Sequence, residues 1–228
     1  PNWHECGTVT MDVLEAIARH AESVAPVLHT VETGSGKTTL LFSHLSPDHL
    51  VFAFDFGGSV SRVRENPLFR TESVTYVEGY NQETLPRYSF THDFQIVMLD
   101  GPHGHPFPEL EYYFLYPRVV EGGLLIVDDV QIPTIGLMRD VIAAGPMFEH
   151  IETVGKDTAF FRRTAAPMIN PLGDDWWLQG YNRAHYERLM KEKARDAASE
   201  QVYARFARAV PSSVRRLVPE SIKRRLRP

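Results

Sequence analysis

The sequence predicts an α/β doubly wound, mostly parallel sheet that ends in an antiparallel hairpin, followed by a helical C-terminal extension. Two observations predict it. Five short, nearly continuous apolar runs alternate with amphipathic helical stretches, as in a parallel sheet covered on both faces. Two further runs then follow each other across only three residues, too few for a helical crossover.

The elements come in order. Met11 to Ala21 reads as a helix, with Val13, Leu14, Ile17 and Ala18 on one face. Val27 to Val31 is the first strand, with Glu32 at its end. A glycine-rich turn follows, then a helix through Leu40, Leu41 and Phe42. The second strand, Leu50 to Phe54, ends at Asp55. The third covers Ser73 to Val77. The fourth, Phe94 to Leu99, ends at Asp100. The fifth, Leu124 to Val127, ends at Asp128-Asp129. Phe148 to Val154 and Thr158 to Arg163 form the hairpin around Gly155-Lys156-Asp157. After Pro167 a Pro/Gly/Trp stretch leads to a long helix, roughly Arg183 to Val210, which Pro211 ends. We therefore divide the chain into residues 1–165, the α/β domain, and 166–228, a helical extension with a basic tail.

Composition narrows the class. With 228 residues, 43% of them apolar and 23% charged, the chain buries a full core, and whole-chain disorder, collagen and coiled coil are excluded. A single cysteine, Cys6, permits neither an internal disulfide nor a four-cysteine zinc site, which points to an intracellular, cytoplasmic protein. No apolar run is long enough to span a membrane, and no basic-then-apolar leader is recognisable. Net charge is −5, but residues 211–228 carry +5, which leaves −10 on the rest. An acidic body argues against nucleic acid as a partner. The tail offers a surface for an anionic membrane or an acidic carrier; the preferred reading is a solvated helix packed on its own acidic body or on a twin subunit in a homo-oligomer.

The turn Glu32-Thr33-Gly34-Ser35-Gly36-Lys37-Thr38-Thr39 invites a P-loop reading through Gly36-Lys37-Thr38. That pattern needs a glycine at Val31, and Glu32 would set a carboxylate against a triphosphate. The alternative is an acid at a strand end, two glycines that let a ligand approach the backbone, and a helix. Glu32 would then accept from a cationic or hydroxylic group, as the ammonium of S-adenosylmethionine requires. Asp55 ends the second strand where a doubly wound fold places the acid that accepts from ribose, or else caps the next helix. Asn81 and Gln82 follow the third strand, within reach of an adenine edge.

With these strings in order, and with Leu99-Asp100-Gly101-Pro102-His103 and Glu121-Gly122-Gly123 through Asp128-Asp129 beside them, residues from about Met11 to Arg163 resemble the class I S-adenosylmethionine-dependent methyltransferases. They look most like the metal-dependent branch that includes macrocin-type sugar O-methyltransferases. The resemblance implies a Rossmann-like methyltransferase fold. It implies a cofactor held by Glu32, Gly34, Ser35, Gly36, Thr38, Asp55, Asn81, Gln82 and Asp100. It also implies Mg²⁺ on Asp100, Asp128 and Asp129, and His103 as general base. The residues agree: three carboxylates converging at one sheet edge repel unless a cation lies between them, and an oxygen-only set suits Mg²⁺. One or two of them could instead cap the following helices. His105 is the rival base. A histidine base suits a sugar or similar aliphatic hydroxyl, whose proton is hard to remove. Acceptor contacts are expected from Trp3-His4, Phe107 to Tyr113, Gln131-Ile132-Pro133 and Trp176-Trp177. A P-loop-like NTPase or kinase and a non-catalytic methyltransferase-like scaffold are the competing functions.

Overall fold

In the computed structural model, which describes residues 9–169 and 176–209, the chain divides into two units, Pro1–Gly173 and Asp174–Pro228. The first unit holds a seven-stranded sheet. Its strands are β1 (His29–Thr33), β2 (Asp48–Ala53), β3 (Val74–Glu78), β4 (Phe94–Leu99), β5 (Val119–Val127), β6 (Phe148–Val154) and β7 (Thr158–Arg163), in spatial order β3-β2-β1-β4-β5-β7-β6. β1 to β5 pair in parallel, and β7 joins β5 antiparallel with β6 outside it. The order reverses between β1 and β4, the switch point where a crevice opens beyond the strand ends.

The apolar runs are buried on both faces, and alternate residues along a strand serve alternate faces. Ile96 and Met98 of β4 pack with Val13, Ala16 and Ile17 of α1 (Met11–Glu22) and Phe42 of α2 (Lys37–Leu45). Val97 and Leu99 face the other way, toward Leu115 of α5 (Phe107–Leu115) and Ile135, Met138 and Ile142 of α6 (Pro133–Ala143). Two short helices complete the wrap, α3 (Ser59–Arg64) and α4 (Asn81–Thr84).

Four strand starts differ from the sequence expectation: β2 begins two residues early, at Asp48, β3 one residue late, at Val74, and β1 and β5 shift for a local reason. β1 begins at His29 rather than Val27, because the N–H groups of Leu28 and His29 donate to the Gln95 side chain, at 3.0 and 2.7 Å. β5 begins at Val119, five residues early, and carries Gly122-Gly123 inside it. A Cβ on Gly123 would lie 2.9 Å from the carbonyls of both Gln95 and Val120, so the strand closes there only around glycine.

The second unit is α7 (Gly180–Ala209), preceded by a short turn of helix at Trp176–Leu178. Trp176 and Trp177 are half exposed and meet edge to face, and Trp176 meets Tyr186 in the same way. Trp3-His4, Cys6 and the basic tail lie outside the described residues. No helix among the described residues is long and apolar enough to cross a membrane.

Candidate active site

Strand register brings the chemistry to one edge. Glu32 pairs with Met98 across β1–β4, and Leu99 pairs with Val127 across β4–β5, so Glu32, Asp100 and Asp128-Asp129 leave neighbouring strands together.

The turn after β1 uses its two glycines differently. Gly34 has φ +87, and a Cβ there would sit 2.2 Å from the carbonyl oxygen of Asp100, so this glycine lets the β1 and β4 ends approach each other. Nothing lies within 4 Å of a Cβ on Gly36, which opens onto space. Glu32 is fully buried; its Oε1 accepts from Thr39 Oγ1 and lies 3.2 Å from His49 Nε2, while Oε2 has no partner among the described residues. Ser35 Oγ lies 3.0 Å from the Tyr76 hydroxyl, and Thr38 is buried at the start of α2. Lys37 Nζ donates to the Val9 carbonyl at 3.3 Å.

Asp55 is exposed at the end of β2. Its oxygens accept from Val60 N at 2.9 Å and Ser61 Oγ at 2.7 Å, and the Ser61 hydroxyl draws its pKa below the usual value. It thus caps α3. Asn81 is buried and donates Nδ2 to Glu111 Oε1 at 2.7 Å; its Oδ1 and Gln82 Oε1 are buried without a partner among the described residues.

The carboxylates gather beyond β4 and β5. Among the described residues, Asp100, His103 and Asp129 each place one donor atom within 4.8 Å of the others. His103 Nε2 is 2.7 Å from Asp129 Oδ2, outside hydrogen-bond alignment, and 3.8 Å from Asp100 Oδ1. Asp129 sits at φ +56, a left-handed conformation uncommon for a side-chain-bearing residue, and Gln131 Nε2 donates to its Oδ1 at 2.6 Å. Asp128 is not brought into this cluster; its Oδ1 accepts from Thr158 Oγ1 on β7. His105 is also apart, exposed and 3.2 Å from Glu109. The geometry therefore separates the two histidines.

Charge follows geometry. Burial pushes Asp100 up to about 7, with Asp128 and Asp129 adding repulsion and His103 opposing it. Burial likewise lifts Asp128 to about 6, against the Thr158 hydroxyl. The carboxylates of Asp100 and Asp129 push His103 up to about 10. Burial raises Asp129, but His103 and Gln131 outweigh it and hold the group below the usual range.

Sequence reasoning missed Glu111. It is buried, burial lifts it to about 7, and it accepts from Thr33 Oγ1 and Asn81 Nδ2, each at 2.7 Å. The signal was present: Pro108, Glu111 and Leu115 form the buried stripe of α5, and a carboxylate does not enter such a stripe without partners.

Residues 60–163 match the family model described as Macrocin-O-methyltransferase (TylF). Solved structures share the fold. A Klebsiella pneumoniae protein has 17% identity and a TM-score of 0.55 over 71% of this chain and 86% of its own. The O-methyltransferase NovP has 21% identity and a TM-score of 0.52, covering 68% of this chain and 81% of its own. TomG of Streptomyces achromogenes, an O-methyltransferase involved in tomaymycin synthesis and solved with S-adenosylmethionine, has 17% identity and a TM-score of 0.52, covering 68% and 79%. No curated protein sequence matches significantly. Over residues 60–163 the chain is thus similar to the macrocin O-methyltransferase family, and its sheet has the Rossmann-like methyltransferase fold of these structures.

Proposed function

We propose that the chain moves the methyl group of S-adenosylmethionine to a hydroxyl of a sugar or similar polar small molecule, with Mg²⁺ at the β4–β5 edge and His103 as general base. The observation that carries this is the convergence of Asp100, His103 and Asp129 beside the β1–β4 switch point.

The cofactor fits by its donors. Glu32 Oε2, Asn81 Oδ1 and Gln82 Oε1 are buried acceptors without partners among the described residues. S-adenosylmethionine brings an ammonium, two ribose hydroxyls and an adenine amino group. Glu32, Gly34, Ser35, Gly36 and Thr38 would line its amino-acid end. Asp55, which retains lone pairs beyond those used in capping α3, would accept from ribose, and Asn81 and Gln82 would meet the base.

Mg²⁺ fits because buried carboxylates that hold protons up to about 6 and 7 mark a site where negative charge lacks a counter-charge. Asp100 and Asp129 would hold it, with Asp128 as the third ligand in a rotamer that releases Thr158. Bound there, it would polarise the acceptor hydroxyl and fix its place. His103 must be neutral to take the hydroxyl proton. The two carboxylates keep it protonated, so balancing their charge frees the imidazole as a base. Asp129, braced by Gln131, orients the ring. The remainder of catalysis is alignment of oxygen, methyl carbon and sulfur. Residues 1–165 form the catalytic domain and 166–228 the extension, a division supported by the compact unit that ends at Gly173.

The test is calorimetry of S-adenosylhomocysteine, followed by methyl transfer to a panel of sugar and phenolic acceptors with and without EDTA. Full activity in EDTA overturns the metal, and transfer to phenols alone overturns the acceptor class.

A further inference from the structure

Glu111 has no role in the reaction as proposed, yet it is 2% exposed and gathers donors from separate parts of the fold. Thr33 Oγ1, at the end of β1, donates to its Oε2, and Asn81 Nδ2, at the start of α4, donates to its Oε1. The Gly101 backbone faces the same carboxylate, and a Cβ on Gly101 would lie 1.8 Å from Oε1.

Once ionised, above its raised pKa of about 7, a carboxylate at the centre of such a cluster only accepts, so it sets the direction of every bond around it. Thr33 spends its one hydroxyl proton on Glu111. Its oxygen is left to accept, and it accepts the N–H of Asp100 at 2.9 Å. Asn81 must turn its NH₂ inward. Its Oδ1 is thereby left as an acceptor, buried and without a partner among the described residues. An asparagine amide has nearly the same shape either way round, so the neighbouring carboxylate decides which end faces the ligand.

We infer that Glu111 is a positioning residue that fixes Asn81 as an acceptor for an amino group of the cofactor and, through Thr33, holds the backbone that carries Asp100. This rests on the reading above that the cofactor lies along Asn81. The competing role is space filling in the core. The two differ for Glu111→Gln, which keeps the shape but replaces one acceptor by a donor. When the introduced amide donates toward Asn81, the asparagine must flip and present its NH₂ to the cofactor's amino group, donor against donor.

The experiment is titration of S-adenosylhomocysteine into the wild type, Glu111→Gln, Asn81→Asp and the double variant, with thermal unfolding of each. Glu111→Gln is expected to bind on the order of tenfold or more weakly, the usual cost of a buried polar group facing the wrong partner. Asn81→Asp alone is expected to bind weakly too, because it sets two carboxylates against each other. The double variant is expected to recover near wild-type affinity: the introduced glutamine accepts from Thr33 and donates to the introduced aspartate, whose second oxygen faces the ligand. Wild-type affinity in Glu111→Gln, or no recovery in the double variant, overturns the inference. If Glu111→Gln alone does not fold, the double variant decides by the same criterion. A wild type that binds no S-adenosylhomocysteine overturns the cofactor reading itself, and this inference with it.

Discussion

Gly34 and Gly36 stand two residues apart in one turn, and their substitutions should fail in different ways. Gly34→Ala forces a Cβ onto the Asp100 carbonyl at φ +87, so overlap and backbone strain together should cost about 2–4 kcal/mol of stability. Gly36→Val meets open space, so urea unfolding should change little while calorimetry shows loss of S-adenosylhomocysteine binding. His103 is the other residue on which a separable outcome rests. His103→Ala should lower turnover on the order of 10²–10⁴-fold, with cofactor binding intact, and His105→Ala should be mild. The wild-type rate should rise with pH as His103 loses its proton and then level off. Because Asp100 and Asp129 hold that proton, the midpoint should shift downward as Mg²⁺ is raised toward saturation. A midpoint independent of Mg²⁺ would separate His103 from the carboxylates.

The antiparallel hairpin does more than close the sheet edge. β7 places Thr158 against Asp128, so the hairpin reaches into the site through one hydroxyl. Thr158→Val keeps the shape and removes that donor from a buried carboxylate, which should cost roughly 1–3 kcal/mol in urea unfolding. If Asp128 is a ligand, added Mg²⁺ should recover part of that loss; no recovery would leave Asp128 a structural partner of the hairpin only. Strands such as Phe94 to Leu99 were legible because an apolar run bounded by an acid has few other readings. The hairpin was legible from three residues of spacing. The cluster of Asp100 and His103 was legible because both lie in one short loop. Glu111 was legible only as an acid on an apolar stripe; its role was not, because its partners Thr33 and Asn81 lie 78 and 30 residues away and meet it only after the sheet has formed. The start of β5 was hidden for a similar reason: glycines weaken a strand signal, and the close carbonyls of Gln95 and Val120 that explain Gly123 appear only in the fold.

Taken over the whole molecule, the site's carboxyl groups oppose the stability of the fold that holds them. Asp100 and Asp128 rise from 3.8 to about 7 and about 6, and Glu111 rises from 4.5 to about 7. Raised groups bind more protons folded than unfolded. Their contribution is fully present below the unfolded values and is lost as pH rises through the folded ones, so stability falls between about pH 4 and about pH 7. Asp55, Asp129 and Glu152 have the opposite sign, but their lowered values confine their effect to the acid side of that window. His103, raised to about 10, extends the decline to alkaline pH. Metal-free protein should therefore melt at a lower temperature at about pH 8 than at about pH 5, by the linkage of proton binding to folding. A cation that binds the carboxylate forms must reverse this. Saturating Mg²⁺ should raise the melting temperature little at the lower pH, where protons occupy Asp100 and Asp128, and clearly at the higher one. Asp100→Asn should lessen the metal-free decline and abolish most of the Mg²⁺ increment together, since Asp100 contributes to both. Scanning fluorimetry across pH, with EDTA or Mg²⁺, reads all of these. An increment equal at both pH values would mean that the ion binds elsewhere on the acidic body.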